Sequence, residues 1–135
     1  MPKPYFFDYP IIVIKEDLDE LNHVNNVVYI SYLQEAAIAH WRSAVSEEVL
    51  DNVRWVVKKH EIEYFKPAFK NDELIVTTWV SEFTQISSLR HYEIKRGNDI
   101  LIKATTLWIA LNAKTMKPSR VSKEIIESFF DTSVL

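Results

Sequence analysis

The chain has 135 residues, 47% of them hydrophobic, including four Trp, six Tyr and seven Phe. That is enough apolar material for the core of one domain spanning residues 1–135, and it excludes a disordered chain. A formal net charge of −3 leaves no basic excess to meet nucleic acid, and the absence of cysteine excludes disulfides, thiolate nucleophiles and Cys-ligated zinc.

Met1-Pro2-Lys3-Pro4-Tyr5 lacks the apolar stretch of a secretory leader, and no segment approaches the length of a membrane span. The chain therefore reads as soluble and cytoplasmic, with no membrane partner. Residues 11–14, all apolar after Pro10, read as a short strand. Residues 15–25 form a polar loop, and Asn25 or Asn26 is placed to cap the helix predicted over 27–43. Within that helix Ile30, Leu33, Ala37, Trp41 and Ala44 keep helical spacing, while Val28, Tyr29, Tyr32, Ala36, Ile38 and Ala39 make the remaining surface apolar too. A helix apolar nearly all round is a buried one. Residues 46–52 read as a polar link. Strands are predicted over 53–65, 73–83, 89–95 and 100–111, the last two joined by the turn Arg96-Gly97-Asn98-Asp99. Lys117-Pro118 ends the last strand, and Ser122 caps a short helix carrying Ile125, Ile126, Phe129 and Phe130.

The predicted fold class is α+β: one strand, a long helix, then four strands in an antiparallel meander, with the five-stranded sheet wrapped around the central helix. The sheet covers one side of the helix, and a second subunit is the expected cover for the other.

The densest concentration of chemistry is Asp17-Leu18-Asp19-Glu20-Leu21-Asn22-His23-Val24-Asn25-Asn26, immediately before the apolar helix. Polar groups at a helix N-terminus meet unpaired N–H groups and the positive end of the helix dipole. Such a place favours a developing negative charge, for example the oxyanion of a carbonyl under attack.

These residues, followed by Tyr29, Tyr32-Leu33 and Glu35-Ala36, resemble the start of the 4-hydroxybenzoyl-CoA thioesterase-like branch of the hotdog fold. The His-Val-Asn-Asn run with a nearby Asp is similar to that of acyl-ACP thioesterases, and the Lys66-Pro67-Ala68 and Asn71-Asp72-Glu73-Leu74 segments extend the resemblance along the chain. The resemblance implies hydrolysis of an acyl-CoA or acyl-ACP thioester by a homodimer or homotetramer, with no metal and no organic cofactor. It places Asp19 as the catalytic carboxylate, acting either as nucleophile or as the base that activates water, and a backbone N–H near Asn26 as the oxyanion donor. His23 and Asn25 fall where acyl-ACP thioesterases carry polar site residues, and Glu35 matches an acidic helix position. Two departures stand out. Asn22 takes the place of the usual Gly before the histidine, and Asn tolerates a left-handed backbone. Ala37 takes the place of an Arg that would pair with Glu35.

Plainer readings compete with these. Asp17 and Asp19 are common loop residues, with Asp17 the bystander of the two; Asn25 and Asn26 are helix caps; His23 serves equally as scaffold. His40, His60 and His91 lack ligand spacing and read as structural or surface residues. Lys58, Lys59, Lys66, Lys70 and Arg90 are candidates for coenzyme A phosphates. A dehydratase or hydratase of the same fold would need an Asp-x-Asn-x-x-His pattern, which is absent, and a non-catalytic acyl-CoA binding module would not need Asp19.

Overall fold

Residues 73–83 alternate between two faces, and the same alternation recurs in the two strands that follow, so that one face of the sheet carries the core. The computed structural model describes residues 2–134. In chain order the elements are β1 (Lys3–Pro4), β2 (Phe7–Ile12), α1 (Asn26–Ala44), α2 (Glu47–Asn52), β3 (Val53–Tyr64), β4 (Glu73–Phe83), β5 (Ser87–Arg96), β6 (Asp99–Asn112), α3 (Lys123–Phe129) and β7 (Phe130–Asp131). Five strands form one antiparallel sheet in the order β2-β4-β5-β6-β3, and β1 pairs with β7 in a separate two-residue ladder.

Three sequence expectations need correction. The last four strands of the sheet are not a simple meander, because β3 leaves its neighbour β4 and pairs with β6, with Trp55 opposite Ala110 and Ile62 opposite Ala104. Residues 46–52 are not a link but a helical turn: Ser46 accepts from Val49 N–H and caps α2. The first strand also begins earlier than expected and runs through Pro10. It tolerates that residue because β2 is an edge strand, where a missing N–H costs the ladder least. Elsewhere β4 spans the predicted residues, Ser122 caps α3, and Gly97 takes φ +59 in the turn between β5 and β6.

The 19 residues of α1 make a rod of about 28 Å. It packs across β2 and β4, burying Tyr29, Tyr32, Leu33, Ala36, Ala37 and His40. These meet Leu74 and Val76 of β4, Tyr92 and Ile94 of β5 and Ile102 and Ala104 of β6 in the main core. A second apolar cluster, built on Val80, Ala110, Val121, Ile125 and Phe129, lies against Trp41 and Ala44 at the C-terminal end of α1. The opposite face of the helix is open, with Val27 71% and Ile38 46% exposed. Among the described residues no helix is long and apolar enough to cross a membrane.

Leu33 is 0% exposed and sits at the centre of the helix–sheet contact. Leu33→Ala is expected to cost about 2–5 kcal/mol by urea unfolding, whereas Val27→Ala on the open face is expected to stay within about 0.5 kcal/mol.

Candidate active site

The loop before α1 is a small hairpin. Leu18 and Val24 form an antiparallel bridge, Asp19 N–H donates to His23 O at 2.8 Å, and Asn22 N–H donates to Asp19 O at 3.0 Å. Asn22 adopts φ +62, the left-handed conformation that a glycine would otherwise supply. The Asp19 carboxylate is half-buried, and its Oδ1 accepts from Leu21 N–H at 2.9 Å in an Asx turn. His23 is half-buried and meets the ring of Phe69 edge-on at 5.2 Å.

Asn25 is the N-cap of α1. Its side chain accepts from Val27 N–H at 3.0 Å, and its carbonyl accepts from Val28 N–H at 2.8 Å. Those two donors are therefore occupied. Among the described residues Asn26 N–H has no acceptor, and it points out of the helix start as one of the orphan donors of a first turn. The Asn26 carbonyl lies 3.5 Å from the Tyr64 hydroxyl at the end of β3. Glu35, two turns further along α1, is exposed and does not share the loop's hydrogen bonds.

Asp17 is more than a loop solubiliser. Its Oδ2 accepts from the Tyr32 hydroxyl at 2.7 Å, which ties the loop to α1 from inside the core. Burial, followed by the bond to Asp17, raises Tyr32 well above the ordinary tyrosine range. One turn away the Tyr29 hydroxyl accepts from Ala68 N–H at 3.0 Å, and Val24 N–H donates to Ala68 O at 2.9 Å. The residue spacing of Tyr29 and Tyr32 marks one face of the helix in the sequence, but their loop partners are not legible there.

A cavity of about 730 Å³ opens beside the C-terminal half of α1, lined by Ala37, Ile38, Trp41, Val80, Arg90 and Trp108 among others. None of the loop residues line it. Arg90 corrects its assignment as a surface contact for phosphates: it is 5% exposed, on the inward face of β5. Its Nη1 bonds His40 Nδ1 at 2.9 Å and Thr78 Oγ1 at 3.0 Å, and its guanidinium lies 5.6 Å from the centre of the Phe129 ring. Burial lowers Arg90 to about 10, which leaves it cationic at neutral pH. His40 is stacked on Phe7 and buried; burial first, and the adjoining guanidinium second, lower it to about 3. The imidazole is therefore neutral, with Nδ1 accepting. Of the lysines, Lys59 pairs with Glu61 and Lys66 with Asp99, both in solvent. Among the described residues no group of His, Asp and Glu is arranged to hold a metal ion.

Residues 3–129 match the sequence signature of the family described as acyl-ACP thioesterase N-terminal domain. An acyl-[acyl-carrier-protein] hydrolase of Cuphea viscosissima is 36% identical over 85 residues, covering 58% of this chain and 21% of that protein. The chain thus spans about a fifth of the length of this chloroplast relative. Acyl-CoA thioester hydrolase YbgC of Escherichia coli O6:H1 is 26% identical over 127 residues, covering 91% of this chain and 95% of that protein. The crystal structure of YbaW from Escherichia coli, described as a probable thioesterase, superposes with a TM-score of 0.80 at 25% identity, covering 90% of this chain and 95% of that one.

Two predictions follow the geometry of this region. Because Asn22 holds a positive φ, Asn22→Val is expected to lower stability by about 1–2 kcal/mol in thermal unfolding, and Asn22→Gly to leave it within about 0.5 kcal/mol. His40 takes a proton near pH 6.5 in the unfolded chain but only near pH 3 when folded. Its contribution to stability is therefore fully present above pH 6.5 and is lost as pH falls toward 3, by at most about 1.4 kcal/mol per pH unit. His40→Gln is expected to flatten the acid limb of a stability–pH curve within that window.

Proposed function

This chain belongs to the acyl-ACP thioesterase family and has the hotdog fold, and from that premise we propose that it hydrolyses an acyl thioester to the free acid and thiol. One observation carries the reading: a half-buried carboxylate, Asp19, is held by an Asx turn in the hairpin that delivers the chain to a helix whose first N–H, on Asn26, is unclaimed. A thioester carbonyl seated against that N–H would have its developing oxyanion met by a preorganised donor and the positive end of the helix dipole. Asp19 then attacks the carbonyl carbon, giving a mixed anhydride that water opens, or takes a proton from the attacking water. In either route the carbon–sulfur bond breaks and the thiolate leaves. His23, across the hairpin from Asp19, and Asn25, which shapes the cap, position these groups.

Acyl-CoA is the preferred substrate class. The support is the match over nearly the whole length of a protein named an acyl-CoA thioester hydrolase, against a match to only a fifth of a carrier-protein hydrolase. An acyl-carrier-protein substrate is the second reading, favoured by the family signature itself. The chain works as one hotdog unit in a homodimer or homotetramer, with the open face of α1, where Ile38 stands exposed, as the surface a second copy would cover. We place this activity in the cytoplasm, with no nucleic-acid or membrane partner.

In a thiol-release assay on a panel of acyl-CoA thioesters, Asp19→Asn is expected to lower kcat by about 10²–10⁴-fold. Glu35→Gln, which alters an exposed side chain of α1, is expected to change it less than about tenfold. A wild-type rate for Asp19→Asn sinks the assignment. Loss of activity on Glu35→Gln alone moves the catalyst to the helix.

A further inference from the structure

The cavity beside α1 has an unusual charge content. Three arginines, Arg42, Arg54 and Arg90, are on its lining, and no aspartate or glutamate is. Arg42 and Arg54 are exposed, and Arg54 Nη1 donates to the carbonyls of Leu50 and Val53. Arg90 is different: it is almost fully buried, and no carboxylate pairs with it among the described residues. Only its Nη1 has acceptors, His40 and Thr78, both neutral. Nε and Nη2 of Arg90 have no partner among the described residues, and the side chain is part of the cavity lining. A guanidinium presented this way into an apolar chamber is short of one counter-charge. Its two free donors form the fork that a carboxylate accepts in bidentate fashion.

The chamber also lies at a suitable depth. It starts where Gln34 lines it, about 12 Å along the helix from Asn26, and His40, which Arg90 touches, lies about 21 Å along, the reach of a long acyl chain. Accepting the proposed seat of the thioester at Asn26, we infer that the acyl chain runs along α1 into this cavity and that Arg90 selects a chain whose far end carries a carboxylate. A methyl-ended chain would desolvate the guanidinium and give nothing back, whereas a carboxylate restores the missing charge. The remaining lining, Ala37, Ile38, Trp41, Val80 and Trp108, accommodates the methylenes between.

The test uses two thioether analogues of coenzyme A, which no esterase can hydrolyse: one with a hexadecyl chain, the other with the same chain ending in a carboxylate. Calorimetric titration of the wild-type protein is expected to show the carboxylate-ended analogue binding at least tenfold tighter. Equal or weaker binding overturns the inference. Arg90→Gln is expected to bring the ratio close to one; a ratio that survives, or a loss of affinity equal for both analogues, assigns Arg90 to the scaffold or to the coenzyme phosphates and overturns it as well. Should Arg90→Gln fail to fold, Ser88→Asp, which puts a fixed carboxylate two residues away on the same buried face of β5, is expected to abolish the preference in its place. The corresponding two thioesters separate this result from the reading on which it rests. If neither is hydrolysed while the binding preference holds, the assignment of Asp19 fails and the role of Arg90 stands.

Discussion

Two tyrosine hydroxyls on one face of α1 hold the candidate site together. Tyr32 reaches the Asp17 carboxylate and Tyr29 receives Ala68 N–H, so the start of the helix is fastened both to the hairpin that precedes it and to the segment after β3. The bond from Val24 N–H to Ala68 O closes the triangle. Each such bond is worth only about 1 kcal/mol net, but leaving one of these buried partners unsatisfied costs about 1–3 kcal/mol. The arrangement therefore resists piecemeal loosening. The position of Asp19 relative to Asn26 follows from it, together with Val24, which the hairpin buries in the main core, and the bond from Asn25 N–H to Asp17 O.

Much of this was legible in the residues themselves. Period-two alternation marked β4 over its full span, the helix 27–43 emerged within a residue at each end, and Asn25 and Ser122 are caps of the kind their chemistry favours. Asn22 was readable as a left-handed position only through the resemblance, which puts a glycine before the histidine, since asparagine tolerates that conformation. The pairing of β3 with β6 was not readable, since local pattern fixes the face a strand presents but not which neighbour it chooses. Arg90 was misplaced for a related reason. Its inward position follows from alternation with Ser88, Tyr92 and Ile94, yet an arginine there runs against the average exposure of cations. Asp17 was undervalued because its partner is fifteen residues away, beyond any local motif.

The two regions described have different physics. The hairpin and helix start form a shallow, polar, backbone-defined place in which hydrogen-bond donors are fixed by the cap. The cavity is deeper and apolar, and its one buried charge is held by a neutral imidazole and a hydroxyl instead of a carboxylate. On the proposed reading, chemistry falls to the first kind of place and discrimination between acyl chains to the second. If that division holds, a chain that keeps the hairpin can change the contents of the chamber, and with it the acyl chains it accepts, without disturbing the proposed reacting groups.

The two ends of the sheet are unequal in a way that bears on growth. The β2 edge is blunted by Pro10, which offers no N–H to an incoming strand, while β3 presents twelve residues without a proline. A strand-to-strand junction through β3 about a two-fold axis consumes that edge in both partners at once. Two sheets joined in that way would present only the proline-bearing strand outward, an edge poorly suited to a further addition.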